Sequence, residues 1–206
     1  MILRSERIAE MLRQGESKKT DDPLVITPSP DLAELDVSGS SSVDLRLGTW
    51  LMSLRPARMQ SLHVGEQSNE RQLTKAHFVP FGGSFYLHPR NFVLGVTLEW
   101  IRLPINLAGY VIGRSSWGRR GLVIATAIGV HPGFKGCLTL ELSNVGEIAI
   151  ELRPGIRICQ LCLHSVEGLA TSYVDRSSFV GRRRPTLGTV KIDEVAARLA
   201  SPDMKP

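Results

Sequence analysis

The sequence predicts a mostly β fold framed by short helices at its two ends, and three observations carry that reading. From Ser42 onward, short runs rich in alternating apolar, β-branched and aromatic residues are cut by Gly or Pro about every ten residues, the rhythm of a sandwich or barrel. Residues 2–14 space Ile2, Leu3, Ile8, Met11 and Leu12 as one face of a helix would, with Ser5 as the expected N-cap and Gly15 as the expected stop. Val190–Leu199 repeats an amphipathic helical pattern near the other end.

Between these landmarks the strands are expected at Val43–Leu47, Trp50–Leu54, Ser84–Leu87, Phe92–Thr97, Glu99–Leu103, Ala108–Ile112, Leu122–Ala127, Cys137–Ser143, Ile148–Leu152 and Ile156–Leu163. Residues 16–42, rich in Ser, Pro and Asp with one apolar run at Leu24–Ile26, read as an extended lead-in, and residues 60–80 as a long polar loop. The organisation expected is a helix with its lead-in at 1–41, a β domain at 42–166, and a tail with a short helix at 167–206.

A chain of 206 residues can bury a real core, and one domain with short appendages is the default. No apolar run approaches the roughly 18 residues that span a bilayer, and the opening MILRSERIAEMLRQGE lacks the apolar centre of a signal peptide. The expectation is a cytoplasmic protein with no membrane partner. Three cysteines, an odd number, argue against a secreted disulfide framework. A net charge of +5 favours anionic partners without naming them. Arg182, Arg183 and Arg184 concentrate some of that charge, either as solvated surface or as a phosphate contact.

The stretch 109–144 holds the chemistry-bearing residues. Its first glycine-rich loop, Gly113–Arg119, combines backbone freedom with Ser115, Ser116, Arg114 and Arg119. Exposed N–H groups in such a loop can cradle an anion, and guanidinium binds phosphate through paired charge-assisted hydrogen bonds. A surface turn with solvated arginines reads equally well. A second glycine-rich loop, His131–Gly136, leads into Cys137–Ser143, which alternates strictly. Period two puts three leucines on one face and Cys137, Thr139, Glu141 and Ser143 on the other. A mid-strand carboxylate is either exposed or held for use; in a cleft, partial desolvation would raise its pKa and suit it to move protons.

Several segments in order resemble motifs of the dCTP deaminase/dUTPase superfamily: SVDLRLG at 42–48, GRSSWGRRGL at 113–122, PGFKGCLTLELSN at 132–144 and RPGIRICQL at 153–161. The opening Met1–Leu3 with its helix, FYLHP at 85–89 and TLE at 97–99 are more similar to the dCTP deaminase branch than to plain dUTPases. The resemblance covers residues 1 to 165, with an echo at Gly181–Thr186. It implies a distorted β jelly roll, so that 42–166 becomes a dUTPase-like nucleotide-binding domain, and a homotrimer with active sites between subunits. It implies deamination of dCTP to dUTP with release of ammonia, Glu141 acting as general base on a water that attacks cytosine C4. Arg114, Ser115, Ser116, Trp117, Gly118 and Arg119 match the loop that handles phosphates and orders that water, with Ser115 and Arg119 among the catalytic residues. Thr139 and Leu140 match backbone contacts to the base and Gln160 a nucleotide contact. Tyr173 and Arg182 match a C-terminal segment that closes over the nucleotide. Magnesium is implied as the charge partner of the triphosphate and no catalytic zinc is implied.

Some positions depart from the pattern. His131 stands where the family has an Asp that contacts the sugar 3′-hydroxyl and, in dUTPases, helps activate water. The segment between Arg119 and Pro132 is one residue short, and Ser178 and Arg182 replace Lys and Gln. Related members deaminate dCTP, hydrolyse dUTP or do both, so a dUTP diphosphatase or a bifunctional enzyme is an alternative, and a non-catalytic deoxynucleotide-binding regulator is a further one.

Two other classes fit less well. Zinc-dependent cytidine deaminases need His-x-Glu and Pro-Cys-x-x-Cys on helix ends. Here Ile158 precedes Cys159, His63 and Glu66 have the wrong spacing, and Cys159 and Cys162 fall in a β run that would turn them to opposite faces. A nucleic-acid-binding module lacks an aromatic stacking platform, since aromatics are only 6% of the chain and scattered.

Overall fold

In the computed structural model residues 1–55, 73–126, 129–167, 181–188 and 194–199 are described. Helix α1 (Ser5–Glu16) forms because Ile8, Ala9 and Leu12 share a face and are all buried in the core. Its N-cap is Arg4 rather than Ser5. Ser5 is drawn into the first turn and wholly buried, where its hydroxyl accepts a hydrogen bond from Ser38 Oγ at 3.0 Å. Gly15 does not stop the helix but lies inside its last turn. A Cβ there would come within 2.9 Å of the Leu24 carbonyl oxygen, so glycine lets the returning chain cross close.

The 16–42 segment, expected to be merely extended, contains β1 (Val25–Thr27) and helix α2 (Leu32–Ser38). The Asp31 carboxylate caps α2 by accepting from the N–H groups of Ala33 at 3.0 Å and Glu34 at 3.1 Å. Gly39 ends it at φ 59°. Asp31, Glu34 three residues later and Gly39 were a legible start and stop that the low local hydrophobicity obscured.

The strands that follow are β2 (Val43–Leu54), β3 (Thr74–Phe78), β4 (Phe85–Leu87), β5 (Phe92–Arg102) and β6 (Leu107–Gly113). After the one-turn helix α3 (Ser115–Gly118) come β7 (Leu122–Ile124), β8 (Gly129–Val130), β9 (Lys135–Asn144), β10 (Ile150–Leu152) and β11 (Arg157–Ser165). A final helix, α4, covers Glu194–Leu199, and residues 190–193 of the expected helix lie outside the described residues. The expected mostly β jelly roll is the fold that forms. One antiparallel sheet runs β7-β9-β5-β2-β11-β6-β8, with β1 added on β5 and β3 on β2, and β10 pairs β4 separately. The sheet curls until the end of β6 meets β7: a Cβ on Gly113 would lie 3.7 Å from Ile124.

Two pairs of expected strands are single long strands with bulges. β2 runs unbroken through Gly48, and β5 runs unbroken through Leu98. The register shifts between Leu47 and Leu51 on one pairing and between Val96 and Trp100 on the other, so the alternation breaks while the strand continues. A Cβ at Gly48 would stand 3.1 Å from the carbonyl oxygens of both Val96 and Thr97, which is why glycine occupies the crossing. The expected polar loop is interrupted by β3, whose single buried residue, Thr74, leaves little apolar pattern to read.

Inside the β5 bulge, Thr97 Oγ1 donates to the Glu99 carbonyl at 2.9 Å and accepts from the Leu138 N–H at 2.9 Å, tying β5 to β9. The Glu99 side chain is 3% exposed; its Oε2 accepts from the Arg46 N–H at 2.8 Å and its Oε1 lies 3.5 Å from the Arg46 guanidinium, tying β5 to β2. At the end of β9, buried Asn144 donates to the carbonyls of Leu87 and Ile148, each at 2.8 Å, and accepts from the Gly146 N–H at 2.9 Å. This one amide anchors the small β4/β10 sheet to the large one.

Burial pushes the Glu99 carboxyl above the usual carboxylate range, against the pull of the Arg46 N–H and guanidinium. A carboxyl with a raised folded-state pKa supports the fold below the unfolded value near 4.3 and gives up that support as pH rises through the folded value. Glu99→Gln should therefore gain thermal stability relative to wild type as pH goes from about 4 to 8. A tenfold change in proton affinity is worth about 1.4 kcal/mol, or roughly 3–5 °C in Tm for a chain of this size. Melting curves across that range check it; a Tm difference that does not move with pH would refute the shift.

Candidate active site

Gly113 closes β6, and Arg114 then caps the short helix α3. Ser115 and Ser116 open that helix with exposed side chains. Trp117 pins the loop to the barrel: its ring packs against the core and its indole N–H donates to the Arg157 carbonyl at 2.9 Å. Arg120 folds back onto the Ser116 carbonyl at 2.6 Å. Gly118 and Arg119 are exposed, and among the described residues the Arg119 guanidinium has no hydrogen bond or ion pair. The turn out of the loop passes so close to Gly146, 2.7 Å from a Cβ placed on Gly121, that only glycine fits at Gly121, whose φ is 87°.

Arg114 turns back over the sheet. Asp44 on β2, Gln160 on β11 and Ile112 on β6 lie side by side in register, so all three point to one outer face, and Arg114 extends β6 on that same face. The Asp44 carboxylate accepts from Arg114 Nη1 at 2.5 Å, Gln160 Nε2 at 3.1 Å and Arg157 Nη1 at 3.3 Å. Arg157 is also gripped by Glu34 of α2 through two hydrogen bonds of 2.9 and 2.8 Å. Hydrogen bonding to Arg157 holds the Glu34 carboxyl below its ordinary range and raises Arg157 in turn. Asp44, Glu34, Arg46, Arg157 and Gln160 line a cleft of about 150 Å3 beneath α2. Asp44, Glu34 and Arg157 stand among the expected site residues without having been expected there. Asp44 stood inside a quoted motif, but only the strand register reveals that it gathers the other three.

The second group lies along β9. Leu138, Leu140 and Leu142 are buried while Cys137, Thr139, Glu141 and Ser143 are half-buried on the outer face, as the alternation predicts. The Glu141 N–H donates to Thr126 Oγ1 at 2.9 Å and its carbonyl accepts from the Ala125 N–H at 2.9 Å, so its main chain faces away from β5. Leu140 pairs with Gly95 across the β5 ladder and turns its main-chain groups there. Thr139, two residues from Glu141, turns its N–H and C=O to the same edge as Glu141, and among the described residues nothing pairs with them.

The tail bounds this gap on its other side. The Cys137 N–H donates to the Arg182 carbonyl at 2.9 Å, and the Gly181 N–H donates to the Lys135 carbonyl at 2.6 Å. Pro185 is buried, and the Arg184 guanidinium stacks 4.0 Å from the centroid of the Trp50 ring. The basic triplet is thus part of a docked segment, with Arg182 and Arg183 exposed. Burial pushes the Cys137 thiol up, partly offset by Arg183. Tyr173 lies outside the described residues.

His131 sits in the turn before β9, exposed, its carbonyl accepting from the Phe134 N–H at 3.2 Å. Cys159 and Cys162 face opposite sides of β11, the first buried and the second half-buried, so the pair cannot converge on one ion. Burial raises the Cys159 thiol to about 12.

The family model for dCTP deaminase-like domains matches residues 2–166. The chain belongs to this family. The match takes in both halves of the site, from Asp44 to Gln160, together with α1 and α2. Among its relatives, a "dCTP deaminase, dUMP-forming" of Methanobrevibacter smithii is 32% identical over 197 residues, covering 93% of this chain and 96% of its own. A dCTP deaminase of Halorubrum lacusprofundi is 40% identical over 162 residues, covering 78% of this chain and 75% of its own. The crystal structure of the 2′-deoxycytidine 5′-triphosphate deaminase from Agrobacterium tumefaciens superposes with a TM-score of 0.58 at 19% identity, over 79% of this chain. This chain spans 46% of that one, and at this identity the likeness speaks for the fold.

Seen as a dCTP deaminase-like chain, the molecule keeps its expected site residues in two groups. Arg114, Trp117 and Gln160 meet around Asp44 and Arg157; Thr139, Glu141 and the tail at Arg182 meet along β9. Among the described residues no hydrogen bond or ion pair joins Glu141 to the group around Asp44.

Proposed function

We propose that this chain deaminates dCTP. The observation that carries the reading is the half-buried Glu141 carboxylate beside the Thr139 main chain, which nothing bonds among the described residues, in a chain of the dCTP deaminase-like family. A pyrimidine edge can take Thr139 N–H and C=O as a strand would. The Glu141 carboxylate accepts a proton from a water, whose oxygen forms a bond to C4. Glu141 then returns the proton to the exocyclic nitrogen, the C4–N bond breaks and ammonia leaves. Ser115, Ser116 and the guanidiniums of Arg114 and Arg119 supply donors for the phosphates, with Gln160 alongside, while Gly118, whose N–H is given to the Arg114 carbonyl at 3.1 Å, shapes the loop around them. Ser115 and Arg119 also hold the water, and His131 donates to the sugar. Tyr173 and Arg182 belong to the segment that closes the site.

Magnesium fits this scheme only as a companion of the triphosphate. Among the described residues no three carboxylate, histidine or cysteine side chains are grouped to hold an ion, and Asp44 and Glu34 are engaged by guanidiniums. No step is routed through it.

The two separate groups support a homotrimer in which Glu141 of one subunit faces the Arg114 loop of another. The outer face of β6 and β11 offers a contact surface: Tyr110 stacks on His164 at 4.7 Å and is 45% exposed, Ile112 is 43% exposed, and His164 Nδ1 is buried with no hydrogen-bond partner among the described residues. Light scattering should give about three times the 22.7 kDa chain mass. A monomer that still turns over would defeat the shared site.

Glu141→Gln should lower ammonia release from dCTP by about 10²–10⁴-fold, because the amide cannot take the water's proton. Calorimetry should find dCTP binding within a few-fold of wild type. Activity within threefold of wild type would make Glu141 a sheet residue only.

A second reading, deamination followed by cleavage to dUMP, is favoured by relatives named "dUMP-forming", among them that of Dictyoglomus thermophilum at 36% identity. His131 weighs the other way. A carboxylate at this position would polarise the water that attacks phosphorus, whereas an imidazole carries no negative charge with which to do so. Parallel assays of ammonia and pyrophosphate from dCTP and dUTP separate the two. Wild type should release ammonia from dCTP with little pyrophosphate, and His131→Asp should raise pyrophosphate release from dUTP. Strong dUTP cleavage in wild type, unchanged in His131→Ala, would establish the second reading instead.

A further inference from the structure

Among the described residues Asp44 is the carboxylate on which three segments converge: the loop after β6 through Arg114, β11 through Gln160, and α2 through Glu34 and the Arg157 it holds. Its side chain is 21% exposed and Arg114's is 30%, so the pair is partly shielded from solvent. Arg114 commits Nη1 to Asp44, and its other guanidinium nitrogens have no partner among the described residues. Glu34 holds Arg157 by both terminal nitrogens, which leaves Arg157 only a longer contact with Asp44 and the shortest one to Arg114.

We propose that Asp44 is a positioning residue: it fixes the orientation of Arg114 and Gln160 so that their remaining donors meet the nucleotide's phosphates, with Glu34 acting behind it through Arg157. This rests on the reading of the 114–119 loop as the phosphate-binding loop. The physical reason is preorganisation. An arginine on a loop loses several rotatable bonds when it grips a phosphate, and a partner that has already fixed it removes that cost from binding. Charge alone argues the opposite sign. A carboxylate beside a triphosphate repels it, so an Asp44 that merely happened to sit there would weaken binding, and its neutralisation would strengthen binding.

The test is calorimetric titration of the full-length protein with dCTP and with deoxycytidine, in wild type, Asp44→Asn, Arg114→Ala and the double variant. Asp44→Asn should weaken dCTP by about tenfold, leave deoxycytidine within twofold, and have less than a twofold effect when Arg114 is already alanine, as expected of two residues acting as a unit. A loss of fold alone would reduce both ligands together. If Asp44→Asn does not fold, Glu34→Gln on exposed α2 carries the test, with a loss for dCTP of about threefold and none for deoxycytidine. Unchanged or tighter dCTP binding in whichever variant folds, or equal losses for the two ligands, would overturn the proposal and leave the deaminase reading standing. Wild type that binds no dCTP would remove both.

Discussion

The bulge of β5 is the constraint on which both halves of the molecule depend. β5 is the strand between β9, which carries Glu141, and β2, which carries Asp44. At its centre the pleat slips, and Thr97 and Glu99 take up the hydrogen-bonding groups that the slip would leave unpaired, one towards β9 and the other towards β2. Gly48 lets β2 pass over this point at backbone contact distance. A buried carboxyl is costly, and Glu99 offsets that cost by accepting from the Arg46 N–H and standing 3.5 Å from the Arg46 guanidinium. The bulge thereby sets the register of β9 against β5, which determines which β9 residues face outward.

Given that register, the outer face of β9 follows from period two. Three leucines go to the core and four polar or thiol side chains stay outside. The main chain adds what the side-chain pattern does not show. Beyond β7 the chain still bonds Glu141 through Ala125 and Thr126, and the tail bonds Lys135 and Cys137; among the described residues nothing bonds the Thr139 main chain between them.

The half around the 114–119 loop is built differently, from charge rather than from strand edges. Two arginines and two carboxylates, Arg114, Arg157, Asp44 and Glu34, balance one another and leave Arg119 as a loop cation without a partner among the described residues. Pairs this exposed contribute little to stability. Their effect is on geometry, since each guanidinium is held in a particular direction. Among the described residues Glu141 shares no hydrogen bond or ion pair with this charged group.

The sequence by itself determined the fold class, the two terminal helices, the inside and outside of β9, and the family. Each of these rests on local pattern: hydrophobic period, glycine spacing, or a motif read in order. Tertiary structure decided the rest. Ser5 lost its capping place to a buried bond with Ser38, and Gly15 became a crossing point rather than a stop, both because of partners more than eight residues away. β2 and β5 each remained one strand where the alternation broke, because a bulge preserves pairing while shifting the pattern. Asp44 was visible as a letter in a motif, but its three partners come from positions 70 to 116 residues distant, and only the strand register brings them to it. Local chemistry is written in neighbouring residues, whereas the direction of a guanidinium depends on carboxylates that the chain must fold to supply.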